Sequence, residues 1–198
     1  MMLSYRGYGK SEGGRASEAG LQRDAQCALD YVLKRKHSES KVVLYGQSLG
    51  GAVAIDLAYR RGEDVWALVI ENTFLSIPRL IPDVMPRWMG YLGWLCNQPW
   101  RSEDKIGQIK RTVNLLLIAG GKDELIPIYH MQGLWKKIAR SEEEEEENWQ
   151  SSISKNTRVK DQQHRLLQFS ILGPGTHNDT CALSEYYDCI RDFLTPVQ

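Results

Sequence analysis

Residues 42–59 constrain this chain more than any other stretch. An apolar run, Val42-Val43-Leu44-Tyr45, meets an Ala-rich run, Gly51-Ala52-Val53-Ala54-Ile55-Asp56-Leu57-Ala58-Tyr59. Between them lie only Gly46-Gln47-Ser48-Leu49-Gly50. Strand, tight turn and helix in that order, with glycines flanking a serine, form the G-x-S-x-G nucleophile elbow. Gly46 and Gly50 are expected there on steric grounds, because side chains beside so sharp a turn collide with the strand and the helix. Ser48 then sits at the tip in a strained conformation. The following helix points its N-terminus at the same spot, which favours negative charge developing there. A bare G-x-S-x-G is common by chance, and its bland reading is a tight turn with an idle serine. The flanking strand and helix give it specificity.

A serine hydroxyl needs a base within hydrogen-bond reach, and the base needs an orienting carboxylate. Behind an elbow of this kind the partners follow in the order Ser, Asp or Glu, His. In open parallel sheets, functional groups emerge at the carboxyl ends of strands. Of the histidines, His37 precedes the serine, His130 lies in a helical pattern and His164 in a polar stretch. His177 alone follows a late apolar run, so it is the expected base. The run Val113–Ala119 leads into Gly120-Gly121-Lys122-Asp123-Glu124, making Asp123 the expected acid and Glu124 the fallback. Asp104 and Asp179 rank lower, and Asp179 is expected to brace the histidine loop or cap the last helix. The backbone N–H of Leu49 is the expected oxyanion donor. This chemistry requires neither metal nor organic cofactor.

Short, nearly continuous apolar runs at Val65–Glu71, Val113–Ala119 and Leu166–Leu172 suit strands buried on both faces of a parallel sheet. Helical patterns at 17–36, 51–61, 129–140 and 183–194 separate or follow them, and Ser17 is a candidate N-cap. The expected class is α/β: a mostly parallel sheet flanked by helices, in one domain over 1–198. Residues 72–109 hold four prolines (78, 82, 86, 99) and read as a lid-like insertion of short helices. Phe74, Leu75, Leu80, Ile81, Met85, Trp88, Met89 and Trp94 either roof the site or simply pack the domain, the latter being the usual fate of large aromatics. Residues 141–164 carry six consecutive glutamates, Glu142–Glu147, and read as an acidic, polar, disordered insertion.

Formal net charge is zero, which argues against a nucleic-acid binder. The four cysteines, Cys27, Cys96, Cys181 and Cys189, form no C-x-x-C pair, so they read as buried or half-buried apolar residues rather than zinc ligands. No apolar run approaches the ~18 residues that span a bilayer, and no signal peptide is evident. The expectation is a soluble, cytoplasmic chain without a membrane anchor of its own.

Several segments carry a resemblance: Ser4-Tyr5-Arg6-Gly7-Tyr8-Gly9-Lys10-Ser11-Glu12-Gly13, Tyr45–Gly51, Glu71-Asn72-Thr73-Phe74, Gly121–Pro127 and Thr176–Thr180. With them the chain resembles the α/β-hydrolase superfamily, its serine-aminopeptidase-like branch, and there the membrane-anchored bud-emergence-type hydrolases. The resemblance implies Ser48, Asp123 and His177 as a triad. It also implies hydrolysis of an ester, thioester or amide, on a small acyl substrate or an acylated protein, since some relatives remove palmitoyl groups. A dehalogenase-like relative is disfavoured because that chemistry needs a carboxylate where Ser48 stands.

Relatives have strands ahead of the Tyr-Arg-Gly-Tyr-Gly segment, and here the segment comes at the front. The expectation is therefore a fold lacking its first strands, with the second oxyanion donor missing. Loss of one such donor typically costs about 100- to 1000-fold in kcat. Met1–Tyr5, read as the end of a strand, is expected either to pair with Lys41–Tyr45 or to leave an edge open. A weakly active or inactive fragment with a binding role is the alternative to a working hydrolase.

Overall fold

Each apolar run read from the sequence becomes a strand of one sheet. A computed structural model describes residues 1–85, 96–139, 156–161 and 164–195. The strands are β1 (Val43–Gln47), β2 (Ala67–Glu71), β3 (Asn114–Gly120), β4 (Asn156–Lys160) and β5 (Leu166–Leu172). Their order is β1-β2-β3-β5-β4. All neighbours are parallel except β4 with β5. The helices are α1 (Glu18–Arg35), α2 (Leu49–Arg60), α3 (Ile77–Val84), α4 (Ser102–Lys105), α5 (Tyr129–Ala139) and α6 (Ser184–Leu194).

Side chains alternate across the pleat, and this divides the core into two layers. Leu68, Ile70, Leu115, Leu117, Leu167 and Phe169 face one way, against Ile55 and Ala58 of α2 and Leu134 and Trp135 of α5. Ala67, Val69, Leu116 and Ile118 face the other way, against Tyr186, Cys189 and Phe193 of α6. Helix α2 is buried all round from Gly51 to Ala58. Its outer side packs under Leu21, Ala25 and Leu29 of α1. Helix α1 begins as its sequence predicts, with Ser17 Oγ accepting the Gly20 N–H at 3.2 Å.

Two expectations change. Met1–Tyr5 is not a strand. Arg6 is tied to Asp24 of α1 through its backbone N–H and its guanidinium, the shortest contact being 2.6 Å. This draws the chain onto α1 and away from the ladder. Strand β1 is left as an edge, the second of the two outcomes expected for it. Beside it opens a groove of about 590 Å³, lined by Met1, Leu3, Val43, Tyr45, Ala28 and Val32 among others.

Secondly, the polar insertion expected over 141–164 is not wholly irregular. Its residues 156–160 form β4, which has the antiparallel partner that a polar edge strand requires. Glu142–Glu147 lie outside the described residues, as do Trp88, Met89 and Trp94. Of the residues that could roof the site or pack the domain, Phe74 and Leu75 pack the core, the favoured of the two readings, at 2% and 6% exposed. Leu80 and Ile81 are half-buried and Met85 is exposed on or beside α3.

Candidate active site

The elbow is built from the end of β1 and the start of α2. Ser48 has φ 53° and ψ −123°, a region that a side chain enters only under strain. Such strain costs about 1–3 kcal/mol. Burial of Val53, Ile55 and Leu57 on the same helix contributes about 1.5–3 kcal/mol each, which outweighs it. The Ser48 N–H donates to the carbonyl of Glu71 on β2 at 3.0 Å. Its own carbonyl accepts the Thr73 hydroxyl at 2.7 Å. The turn is thus held from the neighbouring strand on both sides.

The steric role of the glycines is redistributed. A Cβ on Gly46 would lie 2.2 Å from the Gly50 carbonyl oxygen, so glycine is obligatory there. A Cβ on Gly51 would meet Thr73 Cβ at 2.7 Å. A Cβ on Gly50 meets nothing within 4 Å, so the expected constraint at that position is absent. Leu49 opens α2, where a helix leaves its N–H without an intrahelical partner and free for an anion.

Asp123 and His177 come together at the same end of the sheet. His177 Nδ1 lies 2.9 Å from Asp123 Oδ2, and the two side chains are 7% and 2% exposed. The other carboxylate oxygen accepts the N–H groups of Leu125 and Ile126 at 2.9 and 2.8 Å. An ionised carboxylate only accepts, so Nδ1 of His177 carries a proton, and in the neutral imidazole this leaves the lone pair on Nε2. Glu124, the fallback acid, meets the backbone of His177 instead: its Oε2 accepts the His177 N–H at 3.3 Å. Asp179 also braces this loop, accepting the Thr176 N–H and hydroxyl at 2.8 and 2.6 Å. Those two bonds hold its carboxyl below the usual carboxylate range. The Ser48 hydroxyl is not hydrogen bonded to His177 among the described residues.

Gln47 lies in the elbow and Asn72 in the Glu71–Phe74 segment, but the sequence assigns neither a partner. Gln47 Nε2 and Asn72 Nδ2 both donate to the His177 carbonyl, at 2.9 and 3.1 Å. Glu71, fully buried, accepts the phenol hydroxyls of Tyr45 and Tyr186 at 2.5 and 2.8 Å. Burial and the shared carboxylate push both phenols well above their ordinary range. The available signal was three polar residues, Glu71-Asn72-Thr73, directly behind an all-apolar strand.

The other histidines stand apart. His37 and His164 are exposed. His130 is fully buried in α5, where Nδ1 accepts the Leu75 N–H at 3.3 Å and Nε2 lies 3.0 Å from Asp83. Burial lowers its pKa. The neighbouring Tyr129 hydroxyl, which also donates to Asp83, is pushed up to about 12 by burial and by that bond. Cys189 is buried as expected, but Cys27 and Cys181 are exposed. Both stand on elements whose outer faces meet water: Cys27 on α1, and Cys181 on the turn before α6. Among the described residues no cluster of three or more His, Cys, Asp or Glu side chains could hold a metal, and no helix is long and apolar enough to cross a membrane.

With this geometry in place, the chain can be compared with known proteins. Residues 1–111 match the family described as serine aminopeptidase, S33. The chain is 37% identical over 98% of its length to protein bem46 of Schizosaccharomyces pombe, and covers 56% of that protein. It is 36% identical over 98% of its length to the uncharacterized membrane protein YNL320W of Saccharomyces cerevisiae, covering 59% of it. It thus spans little more than half the length of these relatives. In three dimensions it resembles an alpha-beta hydrolase from Vibrio vulnificus, with a TM-score of 0.69 and 21% identity, over 96% of this chain and 61% of the other. A Pyrococcus furiosus esterase follows at 0.67 and 15% identity, over 96% and 67%. By its sequence this chain belongs to the serine aminopeptidase S33 family, and its structure has the α/β-hydrolase fold.

Proposed function

We propose that the chain carries the nucleophile, base and acid of a serine hydrolase acting on an acyl bond. The observation that supports this best is the Asp123–His177 pair, nearly enclosed at the carboxyl end of the sheet that also ends in the strained Ser48. Ser48 Oγ attacks the acyl carbonyl carbon while its proton passes to His177 Nε2. Asp123 stabilises the imidazolium. The oxyanion accepts the Leu49 N–H, the carbonyl re-forms, and the leaving group departs with the proton from His177. A water then gives a proton to His177 and attacks the acyl carbonyl carbon; the bond to Ser48 Oγ breaks, Oγ takes the proton back from His177 Nε2, and the acid is released. The serine–histidine contact tightens with substrate, as such contacts do. The substrate class is an ester, thioester or amide, including acyl groups carried on proteins.

A fluorophosphonate probe tests this. Labelling of the native chain that disappears in Ser48→Ala is the expected outcome. Absence of labelling in a folded sample overturns it. A second reading, a weakly active chain with a binding role, is favoured by the open edge of β1 and its groove. Labelling about 100- to 1000-fold slower than in full-length relatives would support that reading.

A further inference from the structure

We propose that Gln47 and Asn72 are positioning residues for His177, acting together through its backbone carbonyl oxygen. This rests on the reading of His177 as the general base. Asp123 holds one ring nitrogen, but a single hydrogen bond at the ring leaves the backbone that carries it free to shift. The backbone is held separately. Its N–H donates to Glu124, and its carbonyl accepts from Gln47 Nε2 at 2.9 Å and Asn72 Nδ2 at 3.1 Å.

The direction of both amides follows from their other partners. Gln47 Nε2 also faces Glu71 Oε1 at 3.4 Å. A carboxylate only accepts, so the amide nitrogen and not its oxygen must point there. Glu71 is itself fixed by the hydroxyls of Tyr45 and Tyr186. Asn72 Oδ1 accepts the Gly120 N–H at 2.8 Å, so its nitrogen faces the histidine loop. There it also donates to Thr176 O and Thr180 Oγ1 at 3.1 and 3.2 Å. Asn72 adopts φ 43°, a left-handed conformation, and is 1% exposed.

These contacts link the three functional side chains. Gln47 is the residue before Ser48, so one side chain joins the nucleophile's turn to the base's loop. Gly120 closes β3 three residues before Asp123, so Asn72 joins the acid's strand to the same loop. The relative placement of Ser48, Asp123 and His177 is set by two amides meeting one carbonyl. A misplacement of about 1 Å in such a constellation costs on the order of 100-fold in rate.

The test uses Gln47→Met, which keeps length and removes the donor, and Asn72→Asp, which keeps the acceptor for Gly120. Histidine-labelled protein is followed by NMR, reading the Nδ1–H resonance of His177 and its titration midpoint. Fluorophosphonate labelling rates are read across pH. We expect the resonance and the midpoint to move in both variants, and labelling to slow about 10- to 100-fold, with the Gln47→Met unfolding midpoint close to native. If Asn72→Asp does not fold, Gln47→Met alone decides. A native His177 resonance and midpoint in the folded variants would overturn the proposal, even if stability falls. If the native chain fails to label yet the variants still move the His177 resonance, the hydrolase reading fails and the positioning role stands.

Discussion

Asp123 serves two structures with its two oxygens: Oδ2 meets His177 Nδ1 at 2.9 Å, while Oδ1 closes its own loop onto the N–H groups of Leu125 and Ile126. Asp123→Asn separates these duties. The amide oxygen can keep the loop, but the amide nitrogen now faces His177 and imposes the wrong tautomer. Fluorophosphonate labelling is expected to fall by about 10⁴. Circular dichroism and the unfolding midpoint should change little. A large loss of stability with unaltered labelling per folded molecule would contradict this division of roles.

The strain at Ser48 is a stability cost that a glycine there would not carry. At φ 53° and ψ −123°, glycine carries no Cβ penalty. Ser48→Gly is therefore expected to abolish labelling and to stabilise the chain by about 1–3 kcal/mol. Urea unfolding of the two proteins measures it. An unchanged or lowered midpoint would mean that the turn is not strained.

The two motif glycines are expected to respond differently. Gly46→Ala drives a Cβ into the backbone of Gly50, which cannot yield without moving α2. It should destabilise by at least about 3 kcal/mol or prevent folding. Gly50→Ala enters open space near the start of a helix and should stay within about 1 kcal/mol of native, on the stabilising side. Expression yield and thermal unfolding distinguish the pair.

His130 links α5 to α3 through Asp83, with Tyr129 on the same carboxylate and Arg79 and Glu103 nearby. Burial lowers the folded pKa below its ordinary 6.5, so the unfolded chain binds the proton more readily. Its contribution to stability is complete above about 6.5 and is lost as pH falls from there through the lowered folded value. Unfolding midpoints at pH 7.5 and 5 should differ more in the native chain than in His130→Gln, which does not titrate. Equal pH dependence in the two would remove His130 from the account.

Much of this molecule was legible because its signals are local. The runs that became β2, β3 and β5 are continuous and apolar, and their burial on both faces follows from that. The elbow is a short-range steric pattern, and chain order then selected Asp123 and His177. What escaped depended on distant partners. Met1–Tyr5 has strand-like composition, yet Arg6 ties it to Asp24 on α1. Residues 156–160 look like polar linker, yet β5 offers them an edge. Gln47, Glu71 and Asn72 lie within recognisable segments, yet their partners are not written there, because an amide or a carboxylate declares its role only through the group it faces.

The sequence by itself determined the parallel sheet, the elbow and the choice of Asp123 and His177, which the structure pairs at 2.9 Å, since periodicity, glycine sterics and order along the chain are properties of a string. Only the tertiary structure decided how these parts are held. It moved the steric demand from Gly50 to Gly46 and Gly51, turned Glu124 from spare acid to brace, and brought residues 47, 72 and 124 to the backbone of residue 177. The physical reason is that hydrogen bonds are short and directional. Partners separated by 53 to 130 positions become neighbours only when the strand ends are set side by side.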